Sequence, residues 1–265
     1  MIELDRIGFS YGTKKVLSNC SLRIEPDEIA AITGANGSGK STLALLMAGI
    51  LQPQEGRVLV SGTEMGSGRG GEALRRRIGI VFENPDNQFI TTSVERELAF
   101  GLENLGVEPG AMRKQVNETI ERFSLGSIRN RAPHTLSGGE KQKVALAATL
   151  IANPGCLILD EPTIFLDPAS RETVREMIGS LKGKMTIILF SQFPSELLLA
   201  ESIYELRDGR LDGTLGRERI FELSGLNDPT VRFLQELRER EIFKAEEIPS
   251  VPALCEMLEA YRKNR

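Results

Sequence analysis

The residues Gly34-Ala35-Asn36-Gly37-Ser38-Gly39-Lys40-Ser41-Thr42 fit the pattern G-x-x-x-x-G-K-[ST], between a short apolar run at 29–33 and a helical stretch. Glycines let successive backbone N–H groups turn toward one concavity, and the following helix N-terminus adds partial positive charge. Lys40 is then expected to reach the β- and γ-phosphates of a nucleoside triphosphate, and the Ser41 hydroxyl to ligate Mg²⁺. A second candidate is Leu157-Ile158-Leu159-Asp160-Glu161, an apolar strand ending in two carboxylates. Asp160 suits a Mg²⁺ ligand acting through water, and Glu161 a general base that polarises the attacking water. Taken alone, such a pair can also be the cap of a following helix.

The third segment is Leu136-Ser137-Gly138-Gly139-Glu140-Lys141-Gln142. A hydroxyl and two bare glycine amides at the start of an apolar helix make a second anion site, about a hundred residues from the first. One nucleotide does not need two such cradles in one chain. The economical reading is that Ser137 completes the ATP held by another subunit, so that two chains sandwich two ATP molecules head to tail. The plainer alternative is a capped helix start.

These segments need elements to position them. The order apolar strand, glycine turn, helix is that of a βα unit, and residues 156–159 and 185–190 read as further buried strands of a parallel sheet. Residues 1–32 alternate as strands and turns, 66–71 as a glycine-rich surface loop, and the helix after the first glycine turn is expected over 40–51. Residues 93–152 are helical in pattern. The fold expected is α/β, with an N-terminal antiparallel lobe and a helical insertion. Beyond residue 216 the chain is rich in Glu, Arg and Leu at helical spacing, so 1–215 reads as the main domain and 216–265 as a helical extension suited to packing or pairing.

Composition narrows the function. Among 265 residues, 33 basic stand against 37 acidic, a formal net charge of −4, which disfavours a nucleic acid partner held by phosphate neutralisation. Three scattered cysteines (Cys20, Cys156, Cys255) and a single histidine, His134, provide neither a disulfide framework nor a zinc site. The apolar runs at 43–51 and 144–152 are about half the ~18 residues a bilayer span needs. The acidic start MIELDRIGFS lacks the basic, then apolar pattern of a signal peptide.

In this order and spacing, GANGSGKS, LSGGEKQ and LILDEP resemble the nucleotide-binding subunit of an ABC transporter over residues 2–215. The resemblance implies a P-loop NTPase fold of the ABC ATPase type, with ATP and Mg²⁺ as ligands. It gives Tyr11 the role of the aromatic that stacks on adenine. It places Leu166-Asp167 in the D-loop that crosses the dimer interface. The segment Phe82-Glu83-Asn84-Pro85-Asp86-Asn87-Gln88-Phe89 is similar to the VFQNPDxQ stretch of the energy-coupling factor and cobalt-type subgroup. There it links γ-phosphate sensing to the membrane partner, which makes Gln88 and Phe89 coupling residues. The tail through Leu237 is similar to that subgroup's C-terminal extension, which pairs ATPase subunits. The partners implied are a second ATPase subunit, identical or related, a transmembrane coupling protein and a small substrate-binding membrane protein. The implied location is the cytoplasmic face of the cell membrane.

Two positions depart from the family pattern. Glu83 stands where the Q-loop glutamine is expected; a carboxylate can ligate Mg²⁺ but repels a γ-phosphate without the metal. Gln192 stands where the family has its switch histidine; its amide can donate a hydrogen bond but cannot become cationic. A slowed site within an unequal pair of ATPases follows as an expectation. A soluble mechanical ATPase and a nucleotide-binding scaffold with negligible hydrolysis remain as alternatives.

Overall fold

The computed structural model describes residues 1–66 and 69–215, together with Leu237 and Arg240. The proposed extension at 216–265 otherwise lies outside the described residues, as does Cys255.

The chain begins with β1 (Ile2–Tyr11) and β2 (Lys14–Ile24), which pair antiparallel across the turn at Gly12. It continues through β3 (Ile29–Thr33) and α1 (Lys40–Met47) to β4 (Glu55–Val60) and β5 (Thr63–Glu64). Next come α2 (Arg69–Arg75), β6 (Ile78–Val81) and the helices α3 (Val94–Asn104), α4 (Pro109–Arg122) and α5 (Gly138–Leu150). The last part carries β7 (Cys156–Asp160), α6 (Pro168–Gly179), β8 (Thr186–Phe190), α7 (Pro194–Leu197), β9 (Ser202–Arg207) and β10 (Arg210–Leu215).

Two sheets result. One is antiparallel, in the order β2-β1-β4-β5; the other runs β10-β9-β3-β8-β7-β6, parallel except for the edge strand β10. Strands β3, β7 and β8 are buried at every residue. Their alternate side chains explain why. Ile29, Leu157, Leu159, Ile187 and Leu189 enter a core shared with α3 to α6, whereas Ile32, Ile158, Ile188 and Phe190 enter one shared with α1 and the antiparallel sheet. A strand covered on both faces cannot alternate polar with apolar, so the uninterrupted apolar runs are a consequence of the layering.

The structure corrects two boundaries. Helix α1 ends at Met47 rather than continuing to residue 51, because Gly49 takes a left-handed φ of 70° and closes the turn. The glycine-rich loop expected over 66–71 is shorter, since Gly70 and Gly71 already belong to α2, whose turns continue into an ion pair between Glu72 and Arg76. The hairpin β9–β10 has no clear signature in the sequence. It lies at the sheet edge, where its polar residues (Glu205, Arg207, Arg210) blur the apolar signal.

Candidate nucleotide site

Strand β3 delivers the glycine turn at its carboxyl end, between β8 and β9, where parallel sheets open their crevices. Gly39 is the N-cap of α1 at φ 106°, a left-handed conformation that glycine adopts without steric cost. No side chain caps this helix and no acidic residue stands in its first turn, so its first N–H groups carry no side-chain cap.

Lys40 is buried and its ammonium is fully engaged. Nζ donates to the Gly34 carbonyl at 2.8 Å and the Ala35 carbonyl at 3.3 Å, and pairs with Glu161 Oε1 at 3.2 Å. Those three contacts match its three hydrogens. Glu161 follows β7 directly and takes a left-handed φ of 47°, rare for a side-chain-bearing residue. That bend turns its carboxylate into the same crevice as Asp160, where a straight strand would send the two to opposite faces. The Glu161 N–H donates to Phe190 at 2.9 Å, which ties the bend to the end of β8.

Gln192 follows β8 and joins this network. Its side-chain Nε2 donates to Glu161 Oε1 at 3.0 Å and to Asn36 Oδ1 at 2.6 Å, and its backbone N–H donates to Glu161 Oε2 at 3.3 Å. Both amide hydrogens are therefore used within the chain. The structure thus brings together Lys40, Asn36, Glu161 and Gln192 from three separated segments.

Asp160 is 5 % exposed, and burial pushes its carboxyl up to about 6. A hydrogen bond with Ser41 and the Lys40 charge oppose that rise, while the Glu161 and Glu83 carboxylates add to it. Its Oδ1 is buried without a hydrogen-bond partner. Hard oxygen donors gathered around one unsatisfied carboxylate oxygen fit Mg²⁺, which takes one or two carboxylates and completes its shell with water and phosphate. Among the described residues no three acidic, histidine or cysteine side chains form a metal cage of their own.

The other predicted residues lie in different surroundings. Ser137 caps α5 in a reciprocal box: its hydroxyl accepts from the Glu140 N–H at 3.4 Å, and Glu140 Oε2 accepts from the Ser137 N–H at 2.8 Å. These contacts and Arg131 hold the Glu140 carboxyl below the usual range, despite some desolvation. Ser137 and Gly138 are exposed, whereas Gly139 is buried against α6; a Cβ there would stand 2.4 Å from Ser170 Oγ. Asp167 caps α6 by accepting from Ala169 and Ser170 at 3.0 and 3.1 Å. Tyr11 ends β1, half exposed, with its ring edge-on to Phe9 at 5.0 Å. The cleft lined by Ala35, Asn36, Gly37 and Ser38 continues to Lys15, Val16 and the β9–β10 turn. A separate cleft is lined by Glu83, Asp86, Gly138, Lys141, Gln142 and Phe165. No residue lines both.

Gln88 Nε2 donates to Thr149 Oγ1 at 3.0 Å and the Ala145 carbonyl at 3.3 Å, and Lys141 pairs with Asp86 at 2.8 Å. The segment between β6 and α3 is therefore fastened to the helix that Ser137 begins. Phe89 packs on the larger core and Ile90 projects into solvent. Buried Glu97 accepts from the Ile90 and Thr91 N–H groups and the Thr91 hydroxyl. Sequence reasoning missed Glu97, since a glutamate on an amphipathic helix ordinarily marks the solvent face.

A family model described as "ABC transporter" matches residues 17–164. The chain belongs to that family. It is 44% identical over 220 residues to an energy-coupling factor transporter ATP-binding protein EcfA of Methanosarcina acetivorans, covering 81% of this chain and 80% of that one. It is 39% identical over 218 residues to an EcfA1 of Clostridium novyi, covering 80% and 78%. Among solved structures, cbiO1 of Clostridium perfringens, described as part of the ABC transporter complex cbiONQ, superposes with a TM-score of 0.76 at 30% identity, covering 89% of this chain and 98% of that one. A dimeric ATP-binding cassette in a post-hydrolysis state with ADP and Pi gives 0.73 at 26% identity, covering 81% and 98%. Among the described residues no helix is long and apolar enough to cross a membrane.

Proposed function

We propose that this chain is the ATP-hydrolysing subunit of an energy-coupling factor importer, working as one of two ATPase subunits docked on membrane proteins. The observation that carries the reading is the convergence of Lys40, Glu161 and the Asp160–Ser41 pair in one crevice at the carboxyl ends of parallel strands. Likeness to EcfA proteins and to cbiO1 supports the importer assignment.

Binding of a triphosphate exchanges the Gly34 and Ala35 carbonyls and Glu161 for phosphate oxygens around the Lys40 ammonium. Freed from that ion pair, Glu161 is held by Gln192 alone and can accept a proton from the attacking water. Ser41 and Asp160, with Glu83 nearby, would hold Mg²⁺, which would supply charge neutralisation on the phosphates. Tyr11 offers a ring for the adenine. The exposed turn at Ser137 and Gly138, with Asp167 and the solvent-facing ring of Phe165, belongs to the face that meets the second ATPase. Ser137 then donates to the partner's nucleotide. Gln88 and Phe89, fastened to α5, pass closure of that interface to a transmembrane coupling protein, with a substrate-binding membrane protein beside it. The chain sits peripherally on the cytoplasmic face. Residues 216–265 serve pairing of the ATPases.

Gln192 supports a slowed site. Both hydrogens of its amide already serve Glu161 and Asn36, so donating to a γ-phosphate means giving up one of them.

Co-expression with a candidate transmembrane coupling protein and substrate-binding membrane protein, followed by comparison with Glu161→Gln, tests the assignment. The expected result is a complex whose ATP turnover falls at least a hundredfold in the variant, with ATP binding kept and the ATPase pair trapped closed. A Glu161→Gln complex with undiminished turnover, or ATPase subunits that stay single when loaded with ATP, overturns it.

A further inference from the structure

Behind Glu161 and Gln192 lies a buried polar cluster that none of the motifs includes. Glu196 of α7 is 1 % exposed, and Thr163 and Ser191 are fully buried beside it. The Thr163 hydroxyl donates to Glu196 Oε1. Burial raises the Glu196 carboxyl above its ordinary value, and hydrogen bonding from Ser191 and Thr163 opposes that rise. Thr163 lies in the turn that Glu161 opens, where the Ile164 N–H returns to the Glu161 carbonyl at 3.3 Å. Ser191 immediately precedes Gln192, and its hydroxyl accepts from the Phe193 N–H at 3.0 Å. The Glu196 N–H itself donates to the Phe193 carbonyl at 2.9 Å, so the backbone of residue 196 is tied to the loop that carries Gln192. Arg171 closes the cluster from α6, with its guanidinium 4.0 Å above the Phe193 ring and Nη2 donating to the Leu166 carbonyl at 3.3 Å.

We infer that Glu196 is a positioning residue for ATP hydrolysis, joining the loop that carries Glu161 to the loop that carries Gln192 and fixing the contact between them. The chemical reason is cost. An interior carboxylate is costly unless it is hydrogen-bonded; here Oε1 accepts from Thr163 in the loop after β7, Ser191 at the end of β8 lies beside it, and Oε2 is buried without a hydrogen-bond partner. A small displacement of either loop loses those contacts, so the pair 161–192 is held within the narrow range that a general base requires. The inference rests on Glu161 as the base proposed above.

The test uses the full chain in its ATPase assembly. Glu196→Ala is expected to lower turnover at saturating ATP about tenfold while leaving ATP affinity within twofold. Glu196→Gln, which keeps an oxygen for Thr163, is expected to restore most of it. Thr163→Val, a gentler change, is expected to give an intermediate loss. In a double-mutant cycle, Gln192→Ala is expected to cost much less on the Glu196→Ala background than alone, since both act through Glu161. Hydrogen exchange at the Gln192 amide, which donates to Glu161, is expected to quicken in Glu196→Ala. Full turnover in Glu196→Ala, a loss of ATP affinity matching the loss of turnover, or additive effects with Gln192→Ala would overturn the inference. Should Glu196→Ala fail to fold, Thr163→Val takes its place in the cycle: non-additivity with Gln192→Ala supports the inference, and additivity overturns it. Failure of the Glu161 assignment is seen separately, as undiminished turnover in Glu161→Gln.

Discussion

The crevice around Lys40 and the turn at Ser137 are the two proposed anion sites, yet their states differ. In the first, Lys40, Asp160 and Glu161 are all nearly inaccessible and their charges oppose one another inside the chain. In the second, Ser137 and Gly138 face solvent, and the carboxylate beside them, Glu140, is bound into the cap. The first half must rearrange to take a phosphate, since its cation is already paired. The second presents an exposed hydroxyl already held in a helix cap. That contrast is what two half-sites completing each other across an interface would require, and it locates the costly step in the crevice.

The contrast can be broken most severely at the exposed half. Ser137→Arg is expected to cut turnover of the assembled pair by a hundredfold or more while ATP affinity of the single chain stays within twofold. Phosphate release and equilibrium nucleotide binding check this, and a parallel loss of both would mean that Ser137 serves its own chain's nucleotide. Gln192→His sharpens the other half. Restoring a group able to carry charge beside Glu161 is expected to raise turnover about tenfold, equivalent to ~1.4 kcal/mol of barrier; an unchanged rate removes the slowed-site reading.

Asp160 makes the rearrangement visible in stability. Its folded value of about 6 lies above the ordinary 3.8, so between those pH values the folded chain holds a proton that the unfolded chain has released. Stability from this group is therefore present in acid and is lost as pH rises toward and through 6. In the metal-free chain, Asp160→Asn is expected to gain about 3 kcal/mol at pH 7 and almost nothing at pH ~3, by denaturant unfolding at the two pH values. A variant less stable at pH 7 would show that Lys40 outweighs burial. The smallest effect belongs to Gly139→Ala. Its methyl group would meet Ser170, and a loss of about 1 kcal/mol in unfolding free energy is expected, with Ser170→Gly relieving part of it. No loss would mean that α5 and α6 can separate there freely.

How much of the fold and site is legible in the sequence depends on range along the chain. The glycine turn and its lysine and the strand that ends in Asp160-Glu161 are local devices, and each appears in the structure where its spacing predicts, while Ser137 caps the start of α5, the plainer of its two readings. The end of α1 is hidden because a helical apolar pattern runs on past Gly49, and only the left-handed turn stops it. Glu97 and Glu196 give no signal, because each is a glutamate in a helix and its burial is set by loops that fold back over it.

The sequence alone determined which groups are present and which segments are strand, turn or helix near them, because hydrogen bonding between close neighbours and the burial of apolar runs act over a few residues. It also determined that the family's histidine is an amide here. Only the tertiary structure decided that this amide spends its hydrogens on Glu161, 31 residues away, and on Asn36, 156 residues away. It decided equally that Lys40 is already paired. Those facts depend on which strands lie side by side in the sheet, and the order β9-β3-β8-β7 is fixed by the packing of two cores rather than by any one stretch of chain.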